Sequence, residues 1–228
     1  MLNRVKPAGR LALAALLLFT ASQAVASGEP GYHVTITNLT HSITFTPILV
    51  ASHRRPLSVF DLGAAASDDL RAIAEAGNIA PMAARLSDDS QVIDVQDSGG
   101  LLKPGESVTV VVSGARGARF ISAASMMLPT NDGFIGLDSA EVAKRGSVTL
   151  YSPGYDAGSE VNDELCANIP GPTCGGAGPS PGDDPVEEGY VQIHRGTQGI
   201  GNLSAATYDW RNPVARITIT RVRGNDDD

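Results

Sequence analysis

The chain has 228 residues, a formal net charge of −8 and 18% charged residues. An acidic excess of this kind repels polyanions, which excludes a nucleic-acid binder working through a basic surface. After the first 26 residues no stretch approaches the roughly 20 apolar residues that a membrane-spanning helix needs.

Arg4, Lys6 and Arg10 precede an almost wholly apolar run over residues 11–20, and Ala24, Val25 and Ala26 follow it. A basic start, a short apolar stretch and small residues before a cut make a secretory signal peptide over residues 1–26. Its removal takes three of the 17 basic residues and none of the 25 acidic ones, so the mature charge becomes −11. No cysteine stands near the cut to carry a lipid anchor, and a free protein, secreted or periplasmic, is expected to begin at Ser27. Residues 27–223 suit one domain with a substantial core, and residues 224–228 form an acidic tail.

Residues 33–39 open the β pattern, with Val34, Ile36 and Leu39 nearly sharing a face. Residues 42–49 repeat it through Ile43, Phe45 and Ile48, and Pro47 implies a bulge or an edge. The two runs are expected to pair across Thr40 and His41. A helix follows, with Ser67 as N-cap, Asp68 and Asp69 at the positive end of the dipole, Leu70, Ile73 and Ala74 on one face, and Gly77-Asn78 as the stop. A second helical piece covers residues 81–86, with Pro81 in its first turn and Met82 and Leu86 on one face. Both helices are expected to cover one end or edge of a sheet.

Strands resume over residues 91–95 and, after a turn at Lys103-Pro104-Gly105, over 107–112, whose valines suggest a central strand. Further strands are expected at 119–127, 147–151, 190–194 and 215–222. The last alternates strictly, so one face is core and the other wet. Residues 166–186 crowd glycine and proline into a flexible surface loop. Cys166 and Cys174 lack the ligand count of a zinc site, and in an exported chain they are expected to form a disulfide stapling that loop. Many short strands and few helices predict a mainly β protein, an antiparallel β-sandwich with one or two short helices.

Sequence signatures of a nucleophile elbow, a zinc protease, a phosphate loop or a dinucleotide fold are missing. His33, His41, His53 and His194 show no metal spacing among themselves, and no catalytic residue is expected. Two acidic loops are more informative. One runs Pro129-Thr130-Asn131-Asp132-Gly133-Phe134 and the other Tyr155-Asp156-Ala157-Gly158-Ser159-Glu160. Calcium takes about 6 to 8 oxygen ligands, and the bend available at Gly158 lets Asp156 and Glu160 face one point. The same acids also serve as ordinary solvated surface groups.

At these loops the sequence resembles a known family. Residues 125–137, with Ser125-Met126 and Pro129-Thr130-Asn131-Asp132-Gly133-Phe134 followed by Gly136, resemble the S-M-x-x-P-S-x-D-W-F-x-G signature of the spondin N-terminal domain. Residues 155–160 resemble its W/Y-D-A-G-T-D, and Val214-Ala215-Arg216-Ile217 with Thr220-Arg221-Val222 resembles its closing strand. The resemblance implies an extracellular, C2-like sandwich that binds Ca2+ at one end through Asp132, Asp156 and Glu160. Two positions depart from the pattern. Gly133 replaces a tryptophan, which is expected to loosen the loop, and Glu160 replaces an aspartate, which lengthens one ligand.

The expected function is therefore an exported calcium-binding module for binding or adhesion, with a protein or polysaccharide of the cell surface or its surroundings as partner. Two alternatives remain open. One is an exported hydrolase using paired carboxylates, for which Glu187 and Glu188 are also available; the other is a structural envelope or matrix component without a small ligand.

Overall fold

The computed structural model describes residues 30–178 and 188–223. The expected signal peptide, the acidic tail and Glu187 lie outside these residues, as does part of the expected loop 166–186. The described elements are β1 (Gly31–Asn38), β2 (Thr44–Phe45), β3 (Leu49–His53), α1 (Asp68–Ala76), α2 (Ala80–Asp88), β4 (Val92–Asp97), β5 (Ser107–Ser113), β6 (Phe120–Leu128), β7 (Gly133–Glu141), β8 (Ser147–Ser152), β9 (Tyr155–Asp156), β10 (Gln192–Ile193), α3 (Ala205–Tyr208) and β11 (Ala215–Val222).

Among the described residues the strands make two antiparallel sheets. One runs β5-β1-β11-β8; the other runs β10-β9-β7-β6-β3-β4, with β2 added on β6. Their inner faces meet in one core, which β1 enters with Tyr32, Val34 and Ile36, β11 with Ile217 and Ile219, and the larger sheet with Val50, Ile121, Ala123 and Ile135. The period of two puts the alternate residues of the larger sheet on its outer face. There Leu49, Ala51, Ala124 and Phe134 pack under Leu70 and Ile73 of α1 and Met82 and Leu86 of α2. The expected antiparallel sandwich is therefore present, with a helical layer against one sheet.

α1 stops where glycine permits it to stop. Gly77 has φ +64°, and the N–H groups of Gly77 and Asn78 close on the carbonyls of Ile73 and Ala72 at 2.8 and 2.9 Å, a left-handed cap that spends two end carbonyls. Asp69 of α1 pairs with Arg85 of α2, which ties the helices together.

Several expectations are corrected. β1 does not pair with the segment after it: its neighbours are β5 and β11, while β2 pairs with β6 in the opposite sheet. The expected strand over residues 42–49 splits around Pro47 into β2 and β3. Among the described residues the valine-rich β5 is an edge strand, because β1 is its sole ladder partner there, and its apolar side chains pack inward from the rim. The helices cover a sheet face, not an edge. Ser67 holds the N-cap position, but its hydroxyl donates to Asp69 Oδ1 and makes no cap bond. α3 adds a third helix to the one or two expected. The run of β7, read from sequence only as an acidic loop leading out of Pro129, is a nine-residue strand; its first five residues are all buried, so no alternation marks it.

Candidate metal site and adjoining cleft

β6 and β7 pair in register from Phe120 opposite Glu141 to Met126 opposite Phe134, and the turn between them carries Pro129 to Asp132. β9 lies on the other side of β7, with Gly133 opposite Asp156. Sheet register thus brings together two acidic loops separated by more than twenty residues of chain.

Asp132 is the centre of the contact. It is 0% exposed, its Oδ2 accepts the N–H groups of Ser159 at 2.7 Å and Glu160 at 3.0 Å, and its backbone carbonyl accepts from Ala157 at 3.2 Å. Its Oδ1 is buried with no hydrogen-bond partner among the described residues. Burial holds the Asp132 carboxyl well above the usual carboxylate range, and the charges of Asp156 and Glu160 push it further, against the lowering effect of the two N–H donors. Asp156 is also raised by burial. Gly158 N–H at 2.8 Å on Oδ1, Asn162 Nδ2 at 2.7 Å on Oδ2 and the charge of Arg195 offset part of that rise. Asp156 and Glu160 are 1% and 3% exposed, so none of the three predicted ligands is a solvated surface acid.

Buried like charges that electrostatically oppose one another, with a carboxylate oxygen left unbonded, fit a hard cation, whose charge removes the repulsion. Among the described residues no group of three or more Asp, Glu, His or Cys side chains is placed to hold a metal ion, and Asp132, Asp156 and Glu160 are no exception. Asp132 is the shared neighbour on which the charges of the other two act.

Gly158 makes the bend, with φ +64°, and a Cβ there would lie 2.3 Å from the carbonyl oxygen of Tyr190. Gly158→Ala is expected to cost about 3 kcal/mol, from the left-handed conformation and the clash together. Urea unfolding measures it, and a loss below about 1 kcal/mol would show that the bend is not constrained. The other glycine, Gly133, is not the loose point expected. A Cβ there would meet Thr130 Oγ1 at 2.6 Å and His194 Cδ2 at 3.1 Å, so the space near this α-carbon is filled and a tryptophan has no room.

The family comparison can now be set beside this geometry. The spondin N-terminal family model, Spondin_N, matches residues 35–160, more than half of the 228-residue chain. The chain belongs to the spondin N-terminal domain family. Comparison with the curated proteins found no match. Membership supports an extracellular binding-type module, and the family is not known for catalysis. The Cys166–Cys174 disulfide agrees with an extracellular setting, and among the described residues no helix is long and apolar enough to cross a membrane. Both acidic loops fall inside the matched span. The likeness of the closing strand falls outside it.

Also outside the span, residues 161–203 build what spondin likeness did not reveal. Asp163 Oδ1 accepts from Asn131 Nδ2 at 3.0 Å and Asp163 Oδ2 from Asn168 Nδ2 at 2.6 Å. Glu164, 5% exposed and at φ +56°, accepts the backbone N–H groups of Gln198, Gly199 at 2.7 Å and Ile200 at 2.9 Å. These contacts frame a cleft of about 260 Å³ whose lining includes Asp156, Asn162, Glu164, His194, Arg195 and Ile200. His194 is buried against Trp210, with ring centres 4.8 Å apart. Burial, and then the charge of Arg195, lower its pKa to about 4. Its Nδ1 accepts from Gly196 N–H at 2.9 Å, so the neutral ring carries its proton on Nε2. A protonated Nε2 is a donor and not a metal ligand. The sequence signal that could have found this region was the acidic run Asn162-Asp163-Glu164 directly after the second family motif.

Proposed function

We propose that this spondin domain is an extracellular binding module whose acidic loops hold one Ca2+ ion through Asp132, Asp156 and Glu160, and that the ion fixes the loops that meet a partner. The observation that carries this reading is Asp132, a fully buried carboxylate with one oxygen unbonded and two further carboxylates acting on it. Calcium supplies the positive charge that this arrangement lacks. The chain's own residues do the rest: the N–H groups of Ser159 and Glu160 orient Asp132, Asn162 orients Asp156, and Gly158 turns the chain between the ligands.

Calcium titration of metal-stripped protein, followed by melting temperature, tests the proposal, because an ion that binds only the folded state raises stability by mass action. A rise that magnesium does not reproduce is expected, since magnesium demands a small, near-octahedral shell. No rise at saturating calcium would remove the metal from the reading. The hydrolytic alternative finds less support. It needs two working carboxyl groups in one cleft, yet Glu164 has both oxygens occupied by backbone donors, and Glu188 lies 3.5 Å from Arg195.

A further inference from the structure

Among the described residues the two sheets end on β5, β8, β10 and β4, and these edges are not alike. β5 is tied across to the other sheet, since the Ser113 N–H donates to Asp94 Oδ2 at 2.8 Å and the Ser113 carbonyl accepts from Ser52 Oγ at 2.7 Å. β4 carries the charges of Asp94 and Asp97, and β10 is two residues long. Cover, charge and brevity protect an edge from pairing with another chain. β8 has none of these. It runs from Ser147 to Ser152 without a charge or a proline, and β11 is its sole ladder partner among the described residues.

The register of β8 on β11 fixes which of its backbone groups are open. Arg221 N–H donates to the Gly146 carbonyl at 3.0 Å, just outside the facing residues Thr220 and Ser147, which makes those two a non-hydrogen-bonded pair. Thr149 opposite Thr218 and Tyr151 opposite Arg216 follow at the period of two. Side chains approach closely in such pairs, and the hydroxyls of Ser147 and Thr220 meet at 2.9 Å and those of Thr149 and Thr218 at 3.1 Å. The N–H and C=O groups of Ser147, Thr149 and Tyr151 therefore point away from β11 to the open side, where the described residues place no further strand. Exposure agrees. On the inner face Val148 and Leu150 are only partly buried, whereas Ile219 and Ile217 opposite them, and Val110 and Val112 on the covered β5, are buried.

An open edge accepts an extended strand, and β8 fits its own copy. Antiparallel pairing about a two-fold axis at Thr149 sets Thr149 opposite itself, Ser147 opposite Tyr151 and Val148 opposite Leu150. Every open N–H then meets a C=O, the hydroxyl-bearing face continues across the junction, and the half-buried valine and leucine cover each other. Arg145 falls opposite Pro153, so no like charges are opposed along the strand. We propose that β8 is a self-association edge, through which a second copy of this chain joins two four-stranded sheets into one continuous sheet. A single strand pair lies at the low end of specific interfaces, below about 1,200 Å² in total, so the dimer is reversible and forms as concentration rises. This proposal is independent of the calcium reading.

Sedimentation equilibrium of the chain from Ser27 onward, over about three decades of concentration up to roughly 1 mM, tests it. The native chain is expected to pass reversibly from monomer to dimer. Thr149 is exposed, so Thr149→Lys leaves a solvated lysine in the monomer but sets two lysines face to face in the dimer; association is expected to weaken about tenfold or more, with the melting temperature of the dilute protein unchanged. Thr149→Glu is expected to do the same. An equal mixture of the two variants is expected to restore the dimer, because the register sets position 149 opposite itself. Dimers that survive in both variants, or a mixture that stays monomeric, would overturn this pairing. A native chain that stays monomeric throughout would overturn self-association, and if it nonetheless takes up a synthetic peptide of residues 146–153, the edge serves a strand of another protein instead.

Discussion

Asp132→Asn is expected to stabilise the metal-free protein at neutral pH and to destabilise it, relative to the native sequence, once calcium is present. The native Asp132 is buried, raised in pKa by desolvation and by the charges of Asp156 and Glu160. Without a cation that arrangement is unfavourable, and asparagine relieves it while its side-chain oxygen still accepts from Ser159 and Glu160. The gain is on the order of 1 kcal/mol. With calcium at about a hundred times its dissociation constant the native protein gains about 2.7 kcal/mol by mass action, which for a domain of this size moves the melting temperature by about 5 to 10 °C. Asp132→Asn gives up most of that gain. A variant that is less stable under both conditions would show that Asp132 is an ordinary structural acid, because only a metal ligand changes sign.

The dependence on pH separates the same groups. Because the folded pKa of Asp132 is raised, its contribution is fully present below the ordinary carboxylate pKa and is lost as pH rises through the folded value. His194 works the other way. Its pKa falls from 6.5 to about 4, so its contribution is present above pH 6.5 and is lost as pH falls toward 4. In metal-free native protein the two oppose each other across this window. Asp132→Asn leaves the contribution of His194 unopposed, and its melting temperature is expected to fall more steeply on acidification from pH 6.5 than that of the native sequence.

Glu164→Ala is expected to have the larger effect on stability, a loss of about 3 kcal/mol, because one buried carboxylate accepts three backbone N–H groups and each donor left without a partner costs about 1 kcal/mol or more. The interactions span the loops after β9 and β10, so the loss is also local. The amides of Gln198, Gly199 and Ile200 are expected to exchange with deuterium much faster in the variant. Glu164→Gln keeps one acceptor oxygen, which can serve Gly199 and Ile200, but turns its amide NH2 toward the Gln198 N–H, and is expected to lose about 2 kcal/mol. Equal losses in the two variants, or unchanged exchange at residues 198–200, would mean that Glu164 does not hold this wall.

Local chemistry was legible where neighbours in sequence are neighbours in space. Gly77 ends α1 by its own conformational freedom, Leu70 and Ile73 share a face by helical spacing, and β11 alternates because one of its faces meets the core. Where both faces of a strand are covered, the period of two disappears. β6 and the start of β7 are buried nearly throughout; the first was still legible as a strand from its apolar run, whereas the second, coming straight after Pro129 and the acidic Asp132, read as a loop. Edge and centre were equally hidden. The valines of β5 fit either position, and only the partners present in space decide between them.

The sequence alone determined a mainly β protein with two amphipathic helices, a cysteine pair close enough along the chain to bond, and two short acidic motifs of the spondin kind. The tertiary structure decided which of those acids matter, since burial and mutual repulsion arise only when the register of β7 and β9 sets Asp132 beside Asp156. It alone placed Glu164, His194 and Arg195 around one cleft, because the hydrogen bonds that join residues 164 and 198–200 link loops whose separation along the chain carries no periodic trace.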